Sequence, residues 1–156
     1  MDAKLLNKLI ATSEYRDKFK ITGWIENMPA ALASIDILVA PNVAPEGFGK
    51  AIIEAGAMKK PVICSDLPPV REIIINGETG IMVQANDPNL LAETIIELGG
   101  NISKRKYLGE MARERAIQCF SKQKNVTKII GIIDEVFKQR NNLRIYDYEI
   151  CETECP

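Results

Sequence analysis

Apolar residues fall along this chain in two alternating patterns, and the alternation outlines a fold. Leu5, Leu6, Leu9 and Ile10 recur at helical spacing and predict a helix over 3–15. Residues 19–25 read as a strand. Asn27 is a suitable N-cap for a short helix that carries Pro29 in its first turn and ends near Ser34. Residues 35–40 form a nearly unbroken apolar run, as expected of a strand buried on both faces of a parallel sheet. After a loop over 41–46, Gly47-Phe48-Gly49 leads into a helix that runs to about Met58. Residues 61–64 predict another buried strand, 70–75 a short helix, Asn76-Gly77 a turn, and 80–83 a further strand. Asp87 followed by Pro88 is a helix start, with the cap before a proline at the first helical position. That helix reaches about Leu98. Two more follow, over 104–119 and over 121–139, the second with Ser121 as its N-cap. From Arg140 onward no period is visible, which predicts a frayed tail.

Strands that alternate with helices imply a Rossmann-like, three-layer α/β/α domain with a parallel sheet of about four strands. Doubly wound domains usually have more strands than that. The predicted domain covers 1–139 and the tail 140–156. At 156 residues, with 46% hydrophobic and 26% charged, the chain suits one soluble globular domain with a real core. Its net charge of −1 gives no basic footprint for nucleic acid. Lys104-Arg105-Lys106 is the one dense basic run. It reads first as a solvated helix face, and second as a contact for a phosphorylated or membrane-borne acceptor. The cysteines are Cys64, Cys119, Cys151 and Cys155, and the lack of a signal peptide predicts free thiols in the cytoplasm. Cys151 and Cys155, with no histidine in the chain, make a poor zinc site. No apolar run approaches bilayer-spanning length.

The chemistry concentrates in Glu46-Gly47-Phe48-Gly49-Lys50-Ala51-Ile52-Ile53-Glu54. This segment follows a strand and a loop, so it sits at the carboxyl edge of the sheet, where open α/β folds bind ligands. Gly47 and Gly49 let backbone come close to a ligand. The first-turn amides of the next helix, with its dipole, favour a phosphate. Glu54 lies among apolar and small residues, which predicts a buried carboxylate in need of donors. A ribose diol would supply two; a gap to the surface, or a backbone partner, would also satisfy it. Glu46 is the candidate catalytic residue. Beside a phosphate-favouring helix start it suits a neutral, hydroxyl-rich sugar, or else simply complements the helix dipole. A dinucleotide fingerprint is a rival reading, with Gly47-x-Gly49 before a helix and Asp66 ending the next strand. Ile52 stands at its third glycine position, and the strand ends near Ala40, too early for the tight turn.

These residues resemble a known family. Glu46-x7-Glu54 enclosing Gly47-Phe48-Gly49 is similar to the signature of family 4 (group 1) glycosyltransferases of GT-B fold. Ile21-Thr22-Gly23, Ile35-Asp36-Ile37-Leu38-Val39-Ala40-Pro41, Lys60-Pro61-Val62-Ile63, Arg71-Glu72-Ile73, Asn76-Gly77, Gly80-Ile81-Met82-Val83 and Phe120-Ser121 match its segments in order. The likeness runs from about Lys20 to Phe137. It implies the C-terminal, nucleotide-sugar-binding half of a GT-B enzyme that transfers a sugar with retention, from a UDP-, GDP- or ADP-sugar. Glu54 would hold the ribose and Glu46 hydroxyls of the donor sugar. The amides of Phe48 and Gly49 would meet the diphosphate or sugar, and the backbone near Trp24 and Ile25 would border the base. No Asp-x-Asp motif is present, so the resemblance implies no metal cofactor and a leaving diphosphate stabilised by helix dipoles and basic side chains.

The sequence departs from the pattern at Lys59, at Pro68-Pro69 and at Lys50. The family's acceptor domain, and the first strands of its donor domain, are expected outside this chain. A missing N-terminal domain or a partner chain would then supply the acceptor site for a sugar, lipid or polysaccharide. The 156 residues alone are expected to be inactive. Placement is expected in the cytoplasm, including the inner membrane surface. The competing class is a non-catalytic binding module that pairs with another chain, a second copy included, through an open sheet edge.

Overall fold

A computed structural model describes residues 3–45 and 47–147. The elements in order are α1 (Ala3–Thr12), one turn of 3-10 helix (Arg16–Lys18), α2 (Met28–Ala33), β1 (Leu38–Ala40) and α3 (Lys50–Ala57). There follow β2 (Val62–Ser65), α4 (Pro68–Arg71), β3 (Ile81–Val83), α5 (Pro88–Gly100), α6 (Ile102–Cys119) and α7 (Lys122–Asp147). The sheet has the order β1-β2-β3 and is parallel throughout, with Val39 opposite Ile63 and Cys64 opposite Met82.

The period of two along β2 divides the core. Val62 and Cys64 point to one face, where they pack with Leu32 of α2, Ile52 and Ala55 of α3, and Val70 of α4. Ile63 points to the other and meets Val83, Leu98 of α5 and Leu108 of α6. That is the three-layer α/β/α arrangement expected of alternating strands and helices. The helix starts follow their caps. Asn27 accepts the Ala30 amide at 3.0 Å, Asp87 that of Leu90 at 2.9 Å, and Asn101 that of Lys104 at 2.9 Å. Arg105 donates to the carbonyls of Leu98 and Gly99, which ties α6 to the end of α5.

Four expectations are corrected. Among the described residues the sheet has three strands, because residues 19–25 form none. Phe19, Ile21 and Trp24 are all exposed, so extension there would bury no side chain and find no ladder partner. β1 is shorter than the apolar run over 35–40 and only half-buried, not dry on both faces. The helix α4 starts at Pro68, two residues before Val70, since a proline at the first helical position forfeits no hydrogen bond. Finally, α7 continues past Gln139 to Asp147. Residues 148–156, including Cys151 and Cys155, lie outside the described residues.

A close backbone approach joins α3 to α6. After α3 the chain makes a Schellman turn: the Lys60 amide donates to Ala55 O and the Lys59 amide to Gly56 O, both at 2.9 Å. Lys59 takes the left-handed position that glycine usually fills, with φ 58°. Gly109 lies against this turn so tightly that a Cβ there would be 2.2 Å from Lys59 O. Replacement of Gly109 by alanine should therefore cost about 3 kcal/mol, read as a fall in the urea midpoint. Lys59→Gly should gain about 0.5 kcal/mol, the relief of a left-handed side chain less the added freedom of the unfolded chain and a solvated ion pair to Glu110. An unchanged midpoint for Gly109→Ala would show that the approach is slack.

Cys64 is fully buried, and burial, with the Asp66 charge second, pushes its thiol from 9.0 up to about 12. The unfolded chain ionises this thiol near its ordinary value while the folded chain keeps the proton. The stability involved is thus complete below pH ~9 and lost as pH rises toward the folded value, by at most about 1.4 kcal/mol per pH unit. Comparison of wild type with Cys64→Ala across that alkaline window should show a shallower pH slope in the variant. Equal slopes would mean that the thiol titrates freely in the fold.

Candidate functional site

Parallel pairing places the carboxyl ends of β1, β2 and β3 at one edge. The chain leaves β1 at Ala40, crosses this edge, and enters α3 at Lys50. Gly49 is the N-cap and has φ 68° and ψ 38°, so it ends the loop in the left-handed region and offers no side chain to cap the helix. A Cβ on Gly49 would lie 2.9 Å from Ile73 Cδ1. The left-handed conformation favours glycine here, while the contact with the end of the Ile73 side chain is one that a small shift would relieve. The amides of Lys50 and Ala51 have no carbonyl one turn earlier in the helix to pair with, whereas the Ile52 amide donates to Gly49 O at 3.0 Å. An open cleft of about 430 Å³ lies at this end of α3, walled by β1 and by the chain from Gly47 to Ile52.

Glu54 departs from the burial expectation. Its side chain is 35% exposed and its carboxylate lies 3.4 Å from Lys50 Nζ, one helical turn back. The helix is buried along Ile52, Ala55 and Gly56 only, while Lys50 and Ala51 are exposed. A half-exposed carboxylate with a solvated i,i+4 partner needs no ligand for its stability, because such a pair is worth only about 0.3–0.5 kcal/mol. Position is what sets Glu54 apart. It borders a second hollow of about 180 Å³, between α2 and α3, whose other walls are the apolar Met28, Pro29, Leu32, Ala57 and Met58.

The other predicted residues are spread around this frame. Gly47, Phe48 and Gly49 come together in the cleft wall. Trp24 and Ile25 lie just before α2 and line neither hollow; the indole of Trp24 is 91% exposed. Glu46 lies outside the described residues. Asp66, the acid of the dinucleotide rival, follows β2, but Arg71 grips it with two bonds, Nε to Oδ1 at 2.7 Å and Nη2 to Oδ2 at 3.1 Å. The hydrogen bond and charge of Arg71 hold this carboxyl below the usual range. It is already matched, and unsuited to bind a ribose.

Two further contacts escaped the pattern reading. The Lys50–Glu54 pair was signalled by its spacing alone. The second joins Phe48 to Phe120, whose rings meet edge to face with centroids 6.0 Å apart. They are 72 positions apart in the sequence, and no local period links them.

Comparison with known proteins gives the family of this arrangement. A family model described as glycosyl transferases group 1 matches residues 2–101. An uncharacterized glycosyltransferase of Methanocaldococcus jannaschii is 33% identical over 73% of this chain and 31% of its own length. Among solved structures, a glycosyltransferase from Rickettsia africae is 31% identical, with TM-score 0.80 over 86% of this chain and 36% of that one. HepE of Anabaena, crystallised with UDP and glucose, shares the fold at TM-score 0.81 and 23% identity, over 85% of this chain and 36% of that one. The chain thus spans about a third of the length of the relatives it matches. Glycine-capped α3 at the carboxyl edge, the Rossmann-like layers and the family match agree, and the chain belongs to the group 1 glycosyltransferases, with a Rossmann-like fold shared with GT-B enzymes.

Proposed function

We propose that this chain is the donor-binding portion of a retaining glycosyltransferase and takes a nucleoside-diphosphate sugar. The observation that carries the reading is the Lys50–Glu54 pair on α3, whose lysine lines one hollow and whose glutamate borders another of unlike character. On one side is the cleft at the α3 N-terminus, with the amides of Lys50 and Ala51, no side-chain cap, and glycine backbone. On the other is the apolar groove of Met28, Pro29 and Leu32. A nucleotide sugar has the same order of parts. Its diphosphate suits amides and a helix dipole, its ribose suits a carboxylate, and its base suits an apolar slot.

In this reading the amides of Phe48 and Gly49 meet the diphosphate. Glu54 accepts from the ribose hydroxyls, and Lys50 yields the carboxylate to them. Trp24 and Ile25 border the base beyond Met28, and Glu46 holds hydroxyls of the transferred sugar. The α3 dipole stabilises the diphosphate as it leaves, without a metal. HepE, which shares the fold, binds UDP and glucose, in keeping with such a donor. The relatives are about three times as long as this chain, so the acceptor site belongs to residues beyond these, in the same polypeptide or in a partner. The acceptor is a sugar, lipid or polysaccharide, met in the cytoplasm or at the inner membrane surface.

Titration of the isotope-labelled chain with UDP, GDP, ADP and NAD should move the amide signals of Gly47 to Lys50 for at least one nucleoside diphosphate. For that ligand, Glu54→Gln should weaken binding about tenfold or more, the loss of a hydrogen bond to a charged acceptor. Undiminished affinity in Glu54→Gln would remove the ribose assignment. Tighter binding of NAD than of every nucleoside diphosphate would overturn the donor class.

A further inference from the structure

In the Gly47–Gly49 loop Phe48 is 64% exposed, and Gly49 ends the loop with no side-chain cap, its carbonyl accepting the Ile52 amide at 3.0 Å. Its outside contacts come from a distant part of the chain. The edge of one aromatic ring meets the face of the other where Phe48 meets Phe120, at 6.0 Å and an interplanar angle of 72°. Phe120 closes α6 and packs against the α2–α4 side of the core. Ile73, the side chain that crowds Gly49, is held from the same helix: Arg115 donates to Ile73 O at 2.6 Å and to Glu72 O at 2.7 Å. One end of α6 therefore contacts the loop directly, through the ring on Phe48, and holds the backbone of Ile73, whose side chain lies beside Gly49.

We infer that Phe120 is a positioning residue for the donor loop: its ring, anchored on the core, holds Phe48 and thereby sets the Phe48 and Gly49 amides. It touches no substrate and acts through Phe48. The inference rests on the donor-site reading for its effect on binding, but not for its effect on the loop. An aromatic pair of this kind shifts a two-state loop by about three- to tenfold.

The test compares wild type, Phe120→Leu and Phe120→Tyr in the intact chain. Leucine keeps an apolar side chain on the core but presents no ring, whereas tyrosine keeps the ring. Thermal unfolding shows whether each variant folds, and 15N relaxation reads the fast motion of Gly47, Phe48 and Gly49 without ligand. Phe120→Leu should remain folded, show lower order parameters in those three residues, and bind UDP three- to tenfold more weakly; Phe120→Tyr should restore both. A folded Phe120→Leu with unchanged loop order parameters overturns the inference. So does a loss of loop order that tyrosine fails to restore. If Phe120→Leu loosens the loop but wild type binds no nucleoside diphosphate, the positioning role stands and the donor-site reading fails. Should Phe120→Leu not fold, Phe48→Leu breaks the same ring contact from the loop side: lower order parameters at Gly47 and Gly49 support the inference, and an unaltered loop overturns it.

Discussion

The burial of β2 on both faces is the constraint on which this domain depends. Val62, Ile63 and Cys64 have no exposed surface, and Ser65 has almost none. A strand that dry must be covered by helices on both sides and paired along both edges, since each of its backbone groups needs a partner. β1 and β3 satisfy the edges; α2, α3 and α4 cover one face, and α5 and α6 the other. The parallel direction then gathers the strand ends at one edge. The loop from β1 must cross that edge to reach α3, and this is why the glycine-rich turn lies where a ligand can meet it.

α6 links the stability of the domain to the shape of its site. Gly109 lets it press on the turn after α3, Arg115 fixes the carbonyls of Glu72 and Ile73, and Phe120 meets Phe48. These contacts reach both ends of α3, the helix that carries Glu54. Beyond this point α7 presents Val126, Ile129, Ile130, Ile133, Val136 and Phe137 to solvent. Its apolar residues recur at helical spacing, yet they contribute to neither core cluster.

The Asp66–Arg71 and Lys50–Glu54 pairs look alike as charges and differ in consequence. Arg71 engages both oxygens of Asp66 with two guanidinium bonds, which leaves that carboxylate little reason to bind anything else. Lys50 reaches Glu54 with a single ammonium at 3.4 Å in a solvated position, a partner that hydroxyl donors can displace. The difference in how firmly the two acids are held comes from this geometry, and both stand beside the carboxyl edge of the sheet in the sequence order.

Local physics was legible in the sequence. Asn27 and Asp87 announce their helices because a cap needs only a side chain and an amide three residues on. The run at 62–64 announces a buried strand because nothing in it tolerates water. The glycines and the spacing of Glu46 and Glu54 pointed to the family that the comparisons establish. What failed depended on partners distant in sequence. The apolar residues at 19–25 read as a strand, but a strand exists only where another strand pairs with it. Glu54 read as buried because its neighbours are apolar, yet exposure is set by which face of α3 meets the core, and that face is Ile52, Ala55 and Gly56. The ring contact from Phe120 to Phe48 has no local signature at all. Composition and short-range spacing determined the elements, the caps and the motif; tertiary structure alone decided which apolar segments are covered and which face of α3 meets the core, because burial and pairing belong to surfaces that distant segments make together.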